Sequence, residues 1–155
     1  MVKPVDEERD FQDLTYKQEK AREYQAGATR QHIIDMLDYA LGRIEKWSVA
    51  QQKLLGNKMA DLMEDMLIVA NDLDRTKSPK TPLKKLDYMN GALQDMIELA
   101  YRKKYLKGAT SKNEWLRLSQ EVGKSIGGFM KAVYNEEMGR KSPGNKRHMH
   151  GRRPR

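Results

Sequence analysis

The feature that most restricts what this chain can fold into is the series Trp115, Leu118, Val122, Ile126, Phe129 and Val133, apolar side chains at steps of three, four, four, three and four. An α-helix turns once in 3.6 residues, so this spacing lines one helix face, and no alternating β-branched run competes with it elsewhere in the chain. Three further faces precede it. Ile33, Met36, Leu37, Ala40 and Ile44 mark a first helix from about Thr29 to Lys46. Leu55, Met59, Leu62, Met66, Val69 and Leu73 mark a second, and Leu86, Met89, Leu93, Met96, Ile97 and Ala100 a third. Four such helices with short connections favour antiparallel neighbours, so the expected fold is all-α, an up-down-up-down four-helix bundle.

Local signals set the expected boundaries. Ser48 and Gln51 have the spacing of a capping box, in which each side chain satisfies a free backbone donor at a helix start. The segment "DRTKSPKTP" ends the second helix, and Thr81 with Pro82 makes a cap and first-turn pair for the third. Gly108 is expected to close the third helix, and Ser111 with Glu114 repeats the capping-box spacing for the fourth. Ahead of the bundle, residues 1–28 carry a weak stripe of Phe11, Leu14, Ala21 and Tyr24 that Gly27 interrupts. This segment reads either as a helical arm or as a disordered one.

Charge is unevenly spread over these parts. The formal net charge is +8, with five basic and seven acidic residues in 1–28, eighteen and fifteen in 29–138, and seven and none in 139–155. Most of the excess therefore belongs to the tail "GRKSPGNKRHMHGRRPR", whose Arg140, Lys141, Lys146, Arg147, Arg152, Arg153 and Arg155 come with almost nothing apolar to bury. Such a tail is expected to be disordered when free and to suit an anionic partner. Were each cation to neutralise one phosphate of single-stranded RNA, log affinity would fall against log salt with a slope of about −5, at ~0.7 per contact.

In an up-down bundle the first and third helices end where the second and fourth begin. That topology is expected to gather Arg43, Lys46, Lys53, Arg102, Lys103, Lys104, Lys107 and Lys112 at one end, and Arg75, Lys77, Lys80, Lys84 and Lys85 at the other. Cations near helix C-termini also complement the macrodipole, so part of the pattern is ordinary helix chemistry. Tyr101, Tyr105 and Trp115 are interleaved with the first cluster. Trp115 belongs to a core stripe, which leaves Tyr105 as the candidate for stacking on a base.

Catalytic and metal-binding chemistry finds little support. Asp61 and Asp65, with Glu64 between them, read as a solvated or subunit-contacting acidic face, because the E-x-x-H pairs of a bundle di-iron site do not occur. His32 stands alone, and His148 and His150 have no cysteine or acidic neighbour to complete a zinc site. There is no glycine-flanked serine elbow, no phosphate-binding loop and no cysteine. The expectation is a non-enzyme without cofactor or metal. Methionines such as Met59, Met63 and Met66 read as core filler rather than as a peptide groove. The absence of cysteine, of an apolar run near ~20 residues and of a basic-then-apolar start points to an unexported cytoplasmic protein with no membrane partner.

The glycines of "EVGKSIGGFMKAVY" stand out, since each costs a helix interior roughly 0.5–1 kcal/mol against alanine. Gly123, Gly127 and Gly128 make a flat strip beside the apolar face, and the expectation is a subunit contact formed by these three rather than simple tight packing within the bundle. The segments "KWSVAQQKLLG", "IELAYRKKYLKGATSKNEW" and "VGKSIGGFMKAV" also resemble, in that order, the accessory variability determinant proteins of diversity-generating retroelements. The resemblance covers about residues 29–134, and its most specific part is Val122–Lys131, where a glycine, a glycine pair, an aromatic and a lysine keep the family's order. It implies a homopentameric barrel that binds a reverse transcriptase and nucleic acid, either RNA or an RNA/DNA hybrid, during mutagenic retrohoming. The basic residues become candidates for RNA or polymerase contacts, and by the fourth-helix motif Phe129 joins Gly123, Gly127 and Gly128 as a subunit-interface candidate. Two departures stand beside it. Trp47 is followed by Ser48 where the family often has proline, and Gln51, Gln52 and Lys53 occupy the stretch where it has an arginine. Ribosomal RNA intervening-sequence proteins share the bundle, so a structural or adaptor protein with a nonspecific basic tail is the alternative.

Overall fold

The structure is a computed structural model that describes the backbone of residues 3–140 and the side-chain surroundings of residues 16–139. It is built from four helical rods, and no strand occurs among the described residues. The first rod is α1 (Lys3–Ile44). The second has three consecutive parts: α2 (Val49–Gln51), a π-helical turn (Gln52–Gly56) and α3 (Asn57–Ala70). The third is α4 (Lys80–Arg102) and the fourth α5 (Gly108–Arg140). Helix α1 packs on α3 and α5, and α4 packs on the same two, which closes a four-cornered bundle.

The core follows the apolar stripes. All five first-helix residues are buried, with Met59, Met66, Leu73, Leu86, Leu93, Ile97, Trp115, Val122, Ile126 and Phe129 facing them. Burial of each large side chain is worth about 1.5–3 kcal/mol, and this term, rather than helix propensity, holds the rods together.

Four local expectations are corrected. Helix α1 is unbroken at Gly27 and starts well before Thr29. Its residues 22–29 lie against α5: Ala26 and Thr29 are fully buried, Thr29 Oγ1 lies 2.7 Å from Ser125 Oγ, and Arg22 pairs with Glu136. These contacts offset the roughly 1 kcal/mol that a glycine costs within a helix.

The second rod contains a π-helical turn that the apolar period did not disclose. Beyond it, Met59, Met66 and Leu73 are buried as expected, but Met63 and Ala70 are buried where Leu62 and Val69 were expected to be, and those two are only partly covered. Steps of three and four both fit a period of 3.6 residues, so either set can line the face. At the end of that turn a Cβ on Gly56 would come within 2.9 Å of Ile44 Cγ2 and 3.1 Å of the Trp47 ring. Only glycine fits there without movement.

Pro79, not Thr81, is the N-cap of α4, and it supplies no side-chain hydrogen bond. Pro82 is accommodated because the first turn of a helix has free N–H groups in any case. The turn after α4 is closed by Lys104 rather than Gly108. Lys104 takes φ 64°, its N–H donates to Tyr101 O, and the Tyr105 N–H donates to Ala100 O. This pair of bonds is a Schellman motif, with a lysine in the left-handed position that usually selects glycine. Gly108, at φ 85°, instead opens α5. Ser111 and Glu114 therefore lie inside that helix, and Glu114 pairs with Arg117 in place of a capping interaction.

Candidate nucleic-acid interface

The connections from α1 to α2 and from α4 to α5 meet at one end of the bundle. The capping box forms as expected: Gln51 N–H donates to Ser48 Oγ and Ser48 N–H to Gln51 Oε1, both at 3.1 Å. Gln52 turns back on α1, where its Nε2 donates to the carbonyls of Ile44 and Trp47 at 3.0 and 3.1 Å. Ile44 O, the last carbonyl of α1, also accepts from the Trp47 N–H at 2.9 Å, so one amide side chain and one backbone bond fix the connection that carries Trp47. Gly56 then admits the indole against the second rod.

From this position Trp47 sits between two other rings. Its centroid is 5.6 Å from that of Tyr105 and 6.2 Å from that of Trp115, and Tyr39 meets Trp115 edge-on at 5.7 Å. These four aromatics form the inner walls of a cavity of about 640 Å³. Its polar lining comes from Arg43, Lys46 and Lys107 and from Thr110 and Ser111 in the first turns of α5. Glu114, the one carboxylate of the lining, is held by Arg117 with contacts of 2.7 and 3.0 Å. That hydrogen bond, reinforced by the charges of Arg117 and Arg43, holds the Glu114 carboxyl below its ordinary range. The cavity is rich in donors and poor in free acceptors.

The basic residues expected at this end divide into two groups. Lys112 bonds Glu98 at 2.8 Å and lies 4.5 Å above the Tyr101 ring, while Arg102 is 3.7 Å from the same carboxylate. The Lys112 hydrogen bond is the main reason that Glu98 titrates below its ordinary value, with the charges of Lys112 and Arg102 adding to it. Arg43 stacks over Tyr39 at 4.9 Å. By contrast Lys46, Lys53, Lys103, Lys104 and Lys107 are exposed, and none of them pairs with a carboxylate among the described residues.

At the α3–α4 connection the exposed cations are Arg75, Lys77, Lys84 and Lys85, and Lys80 pairs with Glu137. Asp72 and Asp74 interrupt that cluster, and Asp74 is bound by Arg30 at 3.2 Å. The side chain of Arg140 and all of Lys141, Lys146, Arg147, Arg152, Arg153 and Arg155 lie outside the described residues.

The expected subunit-contact residues have different surroundings. Gly127 and Gly128 are exposed, with no neighbouring atom within 4 Å of an added Cβ. Phe129 is fully buried within the chain. A Cβ on Gly123 would lie 3.3 Å from Asn90 Nδ2. That amide donates to Ser119 O at 3.0 Å and accepts from Ser119 Oγ at 2.9 Å, and Gln94 donates to the same hydroxyl. Gly123 thus makes room for a satisfied polar network between α4 and α5. Asp61, Glu64 and Asp65 are all exposed on α3, and no group of three or more metal-ligating side chains occurs among the described residues.

Sequence reasoning missed Tyr39, Gln52, Gly56 and the cavity face of Trp115. The i, i+4 spacing of Tyr39 and Arg43 was a usable signal for one of them. No described helix is long and apolar enough to cross a membrane. Comparison of the chain with family models, curated proteins and solved structures finds no match.

Proposed function

We propose that this chain is a non-catalytic accessory protein of a diversity-generating retroelement, one that binds RNA or an RNA/DNA hybrid together with a reverse transcriptase. The observation that carries the nucleic-acid part is the basic end of the bundle, where Arg43, Lys46 and Lys107 line an aromatic, donor-rich cavity and the exposed Lys53, Lys103 and Lys104 belong to the π-helical turn and the α4–α5 connection at the same end. Phosphates meet cations there and bases meet π-faces, the two elements of single-strand recognition. The reverse transcriptase and the retroelement rest on the resemblance of Val122–Lys131 and its flanking segments to the accessory variability determinants. The cytoplasm, expected from a cysteine-free sequence, is the compartment in which it acts.

In this reading the rods run up-down-up-down and five copies close into a barrel. The order of cross-helix pairs supports the first part: Arg22 and Thr29 of α1 meet Glu136 and Ser125 of α5, and Asn90 and Glu98 of α4 meet Ser119 and Lys112. The second part draws on the exposed Gly127 and Gly128, which let another backbone approach, and on the exposed apolar Ile34 and Leu41, seven residues apart on α1.

A tagged pull-down from the native host at moderate salt tests the proposal. The expected result is a reverse transcriptase with one discrete, enriched RNA. Recovery of bulk ribosomal RNA alone, lost on deleting residues 139–155, would overturn it in favour of the adaptor bundle with a nonspecific tail.

A further inference from the structure

The aromatic cavity at the basic end has a feature that general phosphate binding does not require. Its lining sets rings beside cations: Tyr39, Trp47, Tyr105 and Trp115 form the walls, and Arg43, Lys46 and Lys107 stand next to them. The one carboxylate of the lining, Glu114, is already held by Arg117. The polar lining therefore calls for an acceptor. Arg43, Lys46 and Lys107 are cations, and Thr110 and Ser111 belong to the opening turns of α5, where backbone N–H groups are free and the macrodipole is positive. No acidic residue occupies that first turn to neutralise it.

Beside this anion-seeking wall stand the half-buried rings of Trp47 and Tyr105. A volume of about 640 Å³ falls within the ~300–1,000 Å³ typical of small-molecule sites. The ligand that matches both walls is flat on one side and carries an acidic group on the other. We propose that the cavity takes one unpaired nucleotide, its phosphate at the α5 N-terminus with Arg43 and Lys107 and its base against Trp47 and Tyr105. The inference rests on the nucleic-acid reading above and adds that a single unstacked nucleotide is captured, which distinguishes single strands from duplexes.

The protein contains two tryptophans, Trp47 and Trp115, and both line the cavity, so intrinsic fluorescence reports its occupancy directly. The full chain is titrated at fixed salt with decauridylate, uridine monophosphate, inorganic phosphate and a blunt RNA duplex. Fluorescence anisotropy of labelled RNA, followed in parallel, reports total binding. Saturable quenching by decauridylate but not by duplex or phosphate is expected. Tyr105→Ala should weaken that response at least about fivefold, in keeping with the loss of one stacking partner.

Lys107→Gln, at an exposed position, should also weaken it and carries the comparison if Tyr105→Ala loses its helical circular dichroism. Quenching by uridine monophosphate as strong as by decauridylate supports the site with a free nucleotide as its ligand. An equally strong response to phosphate overturns the base contact. Anisotropy that reports binding while the tryptophans stay unchanged and Tyr105→Ala has no effect overturns the cavity and leaves the RNA reading standing. Absence of both signals overturns both.

Discussion

The two ends of the bundle use similar side chains for opposite purposes. At the α3–α4 connection, cations close the fold: Arg22 pairs with Glu136, Arg30 with Asp74 and Lys80 with Glu137, each across two different elements. At the α1–α2 and α4–α5 connections, five lysines have no such partner, and the closure is made by Gln52, Gly56 and a chain of aromatic rings instead. Neither net charge nor pairing by itself separates the two ends, since Arg75, Lys77, Lys84 and Lys85 are also exposed without a carboxylate partner among the described residues. The surroundings do: those four stand near Asp72 and Asp74, whereas Lys46 and Lys107 line the aromatic cavity.

The aromatic end is expected to be the more sensitive to shape. Gly56→Val places carbon where Ile44 and Trp47 already lie, an overpacking that should cost about 1–3 kcal/mol in urea unfolding and shift tryptophan emission. An unchanged midpoint and spectrum would show that the Trp47 connection is loosely held. The opposite end is expected to be the more sensitive to charge. Arg22→Ala leaves the Glu136 carboxylate, whose side chain is 15 % exposed, without its cation, and should cost about 1–2 kcal/mol. A double-mutant cycle with Glu136→Gln checks that the loss comes from the pair.

Smaller effects sharpen the contrast. Lys104→Gly relieves a left-handed lysine but adds freedom to the unfolded chain, for a net gain of about 0.5–1 kcal/mol. If the same variant binds RNA more weakly, the strained residue is held in place for its charge. The smallest effect concerns Glu98, whose carboxyl is lowered by Lys112. A lowered folded-state pKa stabilises above the unfolded value and is lost as pH falls through the folded value. Any stability gap between wild type and Glu98→Gln at neutral pH should therefore close in strong acid, as measured by urea titrations. A gap that persists there would assign it to packing rather than to charge.

Periodicity carried much of the fold because a buried helix face has to repeat every three or four residues. Ile33 to Ile44, and Trp115 to Val133 with only Leu118 less than fully covered, illustrate this directly. An inserted π residue leaves no mark in that pattern, and the choice of Met63 over Leu62 was only half legible: Met63 read as core filler, but steps of three and four from Met59 fit the period equally. Glycine was a misleading stop signal at Gly27 and Gly108, since the contacts around Ala26 and the Schellman bonds at Lys104 depend on neighbours distant in sequence or on backbone geometry. The basic end was legible as a list of cations. Which of them are paired was not, because the Glu98–Lys112 contact spans two helices, and Gly123 read as a surface residue until Asn90 stood beside it.

The most direct test compares the two ends with the tail held constant. Binding of a labelled single-stranded RNA to the full chain is measured over a range of salt for Lys103→Glu/Lys107→Glu and for Lys77→Glu/Lys84→Glu. These replace exposed lysines at the aromatic end and at the opposite end respectively. The account predicts that the first pair weakens binding by more than about tenfold and reduces the steepness of the salt dependence by about 1.4, the value for two lost phosphate contacts, while the second has a much smaller effect. Equal losses from both pairs, or a larger loss from the second, would contradict it.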